Sequence, residues 1–240
     1  HAFISRRAHF ERRTNMKKYA LGLAVFFTAG LLFAQQEGVL TVATDIFNKT
    51  SSIYAKLNDY QSSIKITKGD KTQSGTLLYN SRNLLKIEFY DPRGQVILIT
   101  QDSLQIYMPA HQTVLEQKFT DTRSSMASSG GFGLLKSNYS VSFAEAGLVP
   151  LSPGSSERVY KLSLYPYAGS KEGFKYIVMS ILPDSFLIRR IEATNLKNEK
   201  ITFDYDNIVI NPGIPLTRFS IDTPNLTNVY PNFLYGAEEQ

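Results

Sequence analysis

Residues 75–109 read GTLLYNSRNLLKIEFYDPRGQVILITQDSLQIYMP, and this stretch decides the fold. In its middle, Leu85, Ile87 and Phe89 alternate with Lys86, Glu88 and Tyr90. Successive side chains of an extended strand point to opposite faces, so the first set shares one face and the second set the other. Asp91-Pro92-Arg93-Gly94 and Thr100-Gln101-Asp102 are turn-forming clusters, and Gln95–Thr100 and Ser103–Met108 follow them as further strands. Clusters of this kind close hairpins, which makes the whole an antiparallel meander. Its apolar residues are too many for one buried face, and some of the surplus is expected to face a ligand.

Working outward, the pattern extends through strands expected at Ser62–Thr67, Thr76–Tyr79 and Thr113–Phe119, and again at Ser140–Ala144, Val159–Leu164, Tyr176–Leu182, Leu187–Ala193 and Ile201–Ile208. Strands recurring every ~8–12 residues with turn signals between them point to a barrel or sandwich. Thr41–Tyr60 reads as a helix, with Thr44 or Asp45 as its cap and Ile46, Ile53, Tyr54 and Leu57 on an apolar stripe that would lie across the sheet. Asn195–Asn198 reads as a turn and Leu148–Ser156 as an exposed connection. The segment DTRSSMASSGGFGLLKSN at 121–138 breaks the alternation. Met126, Phe132, Leu134 and Leu135 sit there among Ser and Gly, as expected of a movable lid or of a hairpin connection with a buried plug. Phe219–Pro224 is expected to form a short closing strand, and 225–236, with Tyr230, Phe233 and Tyr235 in no clear period, to wrap the surface.

The amino-terminal region sets the expected compartment. Met16-Lys17-Lys18 precedes the apolar run Tyr19–Phe33 and then Ala34, the charged, apolar and small-residue parts of a secretory signal cleaved after Ala34. The run falls short of the ~20 residues needed to span a bilayer as an anchor. Residues 1–15 read as an upstream or appended segment, 16–34 as the signal, and 35–240 as a single domain. Of 26 Lys and Arg and 21 Asp and Glu, six and one lie within 1–34, so the remaining chain carries 20 of each. The basic balance therefore belongs to the leader, and nucleic acid is excluded as an expected partner. There is no cysteine, which removes thiolate metal sites, disulfides and a lipidated signal-proximal cysteine; position 35 is Gln. The expected product is a soluble, monomeric periplasmic protein that is not itself lipidated.

Little in the sequence supports catalysis. Beyond residue 34, His111 is the one histidine, and it follows Pro109 in an expected turn. Asp204 and Asp206 share a strand face, which supplies no opposed acid and base. Ser62-Ser63-Ile64-Lys65 satisfies Ser-x-x-Lys, but that spacing is productive on a helix, not on a strand. Gly130-Gly131-Phe132-Gly133 lacks the spacing and the Lys-Ser/Thr ending of a phosphate loop. Neither an enzyme, a cofactor nor a metal is expected.

Gly75, Asn83-Leu84, Phe89, Pro92 and Tyr107-x-Pro109 stand at the spacing of a known pattern, and over these ~35 residues the chain resembles the periplasmic lipoprotein carriers of the LolA type. Phe219–Pro224 is similar to that family's closing strand. Where the family commonly has Arg-Pro before its Asn-Leu, this chain has Ser81-Arg82, and where it has an Asp-Gly loop, Gln101-Asp102. The resemblance implies an α+β fold: an incomplete, strongly curved antiparallel β-barrel of about eleven strands with helices covering the concave side. It implies a cavity for the acyl chains of lipoproteins, with Leu77, Tyr79, Leu85, Ile87, Phe89, Ile97, Ile99, Ile106 and Met108 as lining candidates and Met126, Phe132, Leu134 and Leu135 as the lid. Arg82 is the candidate for a lid or head-group contact. The implied function is to shuttle acylated lipoproteins from an inner-membrane transporter of the ATP-binding-cassette type to an outer-membrane acceptor. The alternatives are a periplasmic sensor of lipids or lipoproteins on the same fold, and an envelope interaction protein whose interior its own side chains fill.

Overall fold

The computed structural model describes residues 42–119, 129–169, 174–224 and 227–233. The upstream segment, the expected signal with its cleavage site, and Met126 lie outside the described residues. Helix α1 spans Ala43–Tyr54 and is followed by β1 (Asp59–Lys68), β2 (Lys71–Asn80), β3 (Leu84–Asp91), β4 (Arg93–Ile99), β5 (Ser103–Met108) and β6 (Thr113–Lys118). Helix α2 (Ser129–Asn138) leads into β7 (Tyr139–Pro150), β8 (Arg158–Pro166), β9 (Phe174–Ile181), β10 (Ile188–Asn195) and β11 (Lys200–Ile210), and β12 (Asn228–Pro231) comes last.

All twelve strands form one sheet in the order β12-β6-β5-β4-β3-β2-β1-β11-β10-β9-β8-β7. It consists of two meanders joined along the pairing of β1 with β11, where Ile64 stands opposite Tyr205 and Ile66 opposite Phe203. Residues directly opposite one another share a face, so this seam carries the inner face of one meander onto that of the other. β7 and β12 remain at the two ends of the order, and the sheet is an open, curved half-barrel.

The concave side holds most of the core. Ala43, Ile46 and Phe47 of α1 are buried with Leu162 and Leu164 of β8 and with Ile177, Met179 and Ile181 of β9; Phe132 and Leu135 of α2 pack against them. A second cluster lies under the first meander, where Ile64, Leu77, Tyr79, Ile87 and Phe89 are buried together.

The convex side is covered too. Leu78, Leu98 and Phe219 are buried there, with Leu84, Ile214 and Ile221 packed against them. The apolar surplus of residues 75–109 is thus divided between two covered faces, with only part of it on the concave side. The segment after β11 is fastened by hydrogen bonds: the buried Asp59 carboxylate accepts the Gly213 and Ile214 N–H groups at 3.1 and 3.2 Å, and the Asn211 side-chain oxygen accepts the Asn58 N–H at 2.9 Å. Further along, Lys86 Nζ donates to the Arg218 carbonyl at 3.0 Å and pairs with Glu88 at 2.8 Å. Arg218 reaches the other Glu88 oxygen at 2.9 Å.

Partial burial works to raise the Glu88 carboxyl, but bonds and charge from Lys86 and Arg218 outweigh it and hold the group below the usual carboxylate range. A carboxyl whose pKa is lower folded than unfolded contributes its stability in full at neutral pH and loses it as pH falls through the lowered value. Glu88→Gln should therefore lower the thermal midpoint at pH 7, and the gap from wild type should narrow as pH falls from 7 toward 3. Melting curves of both proteins across that range check this, and a gap of constant size would refute it.

Several element boundaries differ from expectation. Helix α1 ends at Tyr54 rather than Tyr60 and starts from Val42 with no side-chain cap, because β1 begins at Asp59, where pairing with β2 and β11 takes over the backbone. Leu148–Pro150 belongs to β7, extended past two register shifts, and Leu151 beyond it is buried, so the exposed connection starts only at Ser152. Residues 219–224 form no strand: Phe219 is anchored by its side chain in the convex cluster. The tail does contain a strand, β12, laid parallel to β6 with all four residues exposed. Such a strand carries no burial alternation for sequence reading to detect. Among the described residues no helix is long and apolar enough to cross a membrane.

Candidate functional site: an apolar cavity beneath two helices

Between the concave face and the helices lies a cavity of about 310 Å³. Its walls come from both meanders. Tyr60, Leu77, Tyr79 and Leu85 face it from β1, β2 and β3; Phe174, Ile177, Met179, Ile188, Ile191 and Tyr205 face it from β9, β10 and β11. Tyr54 of α1, Phe132, Leu134 and Leu135 of α2, and Tyr139 complete the lining with Gly131. Hydrophobic residues lining a hollow rather than packing against one another leave apolar surface for a guest.

Aromatic rings tie the helices to the sheet. Phe132 of α2 meets Phe47 edge-on at 5.5 Å between ring centroids, and Tyr54 at 5.4 Å. Tyr54 meets Tyr60 edge-on at 5.8 Å, and Tyr60 stacks on Tyr79 at 5.0 Å. Aromatic pairs in these geometries contribute about 0.5–1.5 kcal/mol each beyond their burial. The Ile188 N–H donates to the Tyr54 hydroxyl at 3.1 Å and fixes α1 to β10. Burial pushes the Tyr54 phenol up to about 12 against the smaller opposing effect of that bond. Burial also raises Tyr60 strongly, with Tyr54, Tyr205 and Tyr79 adding to the effect, and it raises Tyr205 and Tyr79. All four phenols are therefore neutral donors at any physiological pH.

Of the residues singled out in the sequence, Leu77, Tyr79 and Leu85 meet Phe132, Leu134 and Leu135 around this space. Ile87 and Phe89 share their strand face but are packed in the closed cluster beside it, with Ile97 against them. Ile99, Ile106 and Met108 are half-buried farther along the meander and are not among the lining residues. Arg82 is exposed in the turn between β2 and β3, where its N–H bonds the Asn80 side chain at 3.0 Å and its carbonyl accepts from Gln101 at 3.3 Å. Its guanidinium makes no hydrogen bond or ion pair among the described residues. Of the segment expected as a lid, Ser129–Asn138 forms helix α2, whose Phe132, Leu134 and Leu135 line the cavity. The second meander's share of the lining, which includes Ile177, Met179, Ile191 and Tyr205, was not anticipated. Those residues show the same alternation as the first meander, but only the β1·β11 seam places them opposite it. His111 stands exposed on a short 3-10 turn, Pro109–His111. Among the described residues no group of three His, Asp or Glu is placed to hold a metal.

No family model matches the sequence, and no curated protein matches it. Among solved structures, an uncharacterized conserved protein from Thermus thermophilus is similar at a TM-score of 0.52 and 12% identity, over 79% of this chain and 98% of that one. The MucA/MucB complex of Pseudomonas aeruginosa is matched at 0.48 and 10% identity, over 75% of this chain and 61% of the other. A LolA superfamily protein from Nitrosomonas europaea is matched at 0.39 and 14% identity, over 75% and 98%. The chain is one open, curved and almost wholly antiparallel sheet with helices laid across its concave side, and it shares that fold with the Thermus thermophilus protein.

Proposed function

We propose that the protein is a periplasmic carrier that takes the acyl chain of a lipidated protein into this cavity and shuttles it from the inner to the outer membrane. The observation that supports the reading most directly is the apolar hollow of about 310 Å³ between the sheet and α2. Hiding one CH₂ from water is worth about 0.8 kcal/mol, so a sixteen-carbon chain represents roughly 13 kcal/mol at most, enough to prevent its free diffusion through an aqueous compartment. A carrier offsets that cost by enclosing the chain. It must also let go, and a roof that exchanges its own apolar contacts for those of the cargo lowers net affinity to a useful level. Phe132 fits that exchange, since its present partners, Phe47 and Tyr54, belong to the same cavity system. The volume lies at the lower limit of small-molecule sites, about 300–1,000 Å³, which matches one chain rather than several in this arrangement.

On this reading cargo arrives from an inner-membrane transporter of the ATP-binding-cassette type and leaves to an outer-membrane acceptor, as in the family the sequence resembles. The work is physical transfer without bond making or breaking.

The test is mass spectrometry of protein purified under native conditions, paired with displacement of the neutral dye Nile red by acyl lipid and with release of lipoprotein from inner-membrane vesicles. Co-purified acyl lipid, displacement and release are expected. Binding without release would move the protein from carrier to sensor, and no binding at all would leave it an envelope interaction protein.

A further inference from the structure

Resting on the acyl-binding reading, we propose that the cavity selects a neutral acyl ester, whose carbonyl oxygen accepts hydrogen bonds from the hydroxyls of Tyr60, Tyr79 and Tyr205. The three tyrosines stand on β1, β2 and β11, the strands at the centre of the sheet. Tyr60 and Tyr79 are directly opposite each other in the β1·β2 register, and their rings stack at 5.0 Å with 29° between planes, which sets two phenols side by side in the wall. Tyr205 enters from the other side of β1, in the register position opposite Ile64, and its charge, if formed, would be felt by the Tyr54 phenol as Tyr60's would. Tyr79 is only 5% exposed and still lines the cavity.

None of these three hydroxyls has a hydrogen-bond partner among the described residues. A phenol O–H withdrawn from water without a partner costs free energy that a phenylalanine at the same place would not. The three hydroxyls are not among the fully buried unpartnered polar atoms, so in the empty hollow they keep access to solvent and the cost falls when a guest fills the space; a guest that brings an acceptor offsets it. Neutral O–H donors suit a carbonyl oxygen. The lining includes no Lys, Arg or His among the described residues, so nothing there compensates a carboxylate drawn in among the apolar side chains. The site therefore distinguishes three guests of equal length: a hydrocarbon, which fills the space but leaves the hydroxyls bare; an ester, which satisfies them; and an ionised acid, which introduces an unpaired charge.

The experiment is displacement of the neutral dye Nile red from the full chain at pH 7.5 by dodecane, methyl laurate and laurate. It is repeated on the triple variant Tyr60→Phe/Tyr79→Phe/Tyr205→Phe, which keeps all three rings, with thermal melts to verify that the fold is intact. Wild type should prefer methyl laurate to dodecane by about tenfold, the effect of one or two neutral hydrogen bonds, and laurate should be the weakest displacer. In the variant the ester should fall to within about twofold of dodecane, because the ester loses its donors and the hydrocarbon no longer leaves hydroxyls bare. Equal displacement by ester and hydrocarbon in wild type, an ester preference that survives in the variant, or laurate displacing best would each overturn the inference while leaving the cavity an acyl site. Failure of every ligand to displace the dye would overturn the acyl-binding reading and this inference with it.

Discussion

Leu85→Glu should weaken acyl binding by about a hundredfold or more and leave the folded state standing. Leu85 is half-buried and lines the cavity from β3. In the empty protein a carboxylate there retains access to water through the open side of the hollow. Once an acyl chain fills the space, that water is expelled and the charge is left in apolar surroundings without a cation among the described lining residues, a penalty of several kcal/mol charged to binding rather than to folding. Two residues along the same strand face, Ile87 is 7% exposed and packed with Ile64, Leu77, Tyr79 and Phe89. Ile87→Glu has no water to turn to and should destabilise the fold by about 3–5 kcal/mol. Displacement of Nile red by methyl laurate and urea unfolding of both variants make the comparison. The assignment of hollow and core is wrong if Leu85→Glu still binds at wild-type strength, or if the two variants lose stability alike.

Gly75→Ala should cost about 3 kcal/mol, at the upper end of overpacking penalties, and lower the melting temperature by roughly 6–12 °C. A Cβ built on Gly75 would stand 2.4 Å from the Glu88 carbonyl oxygen and 3.0 Å from the Phe89 Cα. Both obstacles are backbone, so no side-chain rotation relieves them, and β2 would have to separate from β3. The ladder is already irregular there, with its register shifting between Ser74 and Gly75, and the Tyr90 hydroxyl donates to the Gly75 carbonyl at 2.8 Å, holding the strands close. Gly69 provides the contrast: it has a positive φ of 61° but open space around its Cβ position, so Ala there carries only the left-handed backbone penalty of about 1–2 kcal/mol. Differential scanning calorimetry of the two variants separates close approach from backbone strain. Equal losses at both sites would remove the close-approach argument.

Gly75 also shows how much the sequence disclosed. It opens the pattern by which the chain resembles LolA-type carriers, and its role in the structure is the close crossing of β2 over β3. The meander from β2 to β6 was legible because alternation has a period of two and turn residues punctuate it; β5 was placed at Ser103–Met108 and is found there. The helix near residue 45 was legible from its stripe, though not its end, since pairing partners decide where β1 begins. β12 was not legible: an exposed four-residue strand buries nothing on either face.

The site was half legible. Leu77, Tyr79 and Leu85 were found because they alternate, but Ile87 and Phe89 alternate identically and are core. Periodicity reports that residues share a face. It does not report whether a neighbour fills the space in front of them.

By itself the amino-acid sequence determined the local terms: which residues pair as strands, which face each side chain takes, and that no cysteine chemistry is available. Tertiary structure alone decided that β1 joins β11 and so brings Tyr205 and Ile191 opposite Tyr79 and Leu85. It decided as well that the segment carrying Ile214, Phe219 and Ile221 covers the convex face over Leu78 and Leu98. The physical reason is range. Backbone geometry repeats every two residues along a strand, whereas a hollow is a volume left over after segments remote in the chain have packed, and no local pattern encodes what remains unfilled.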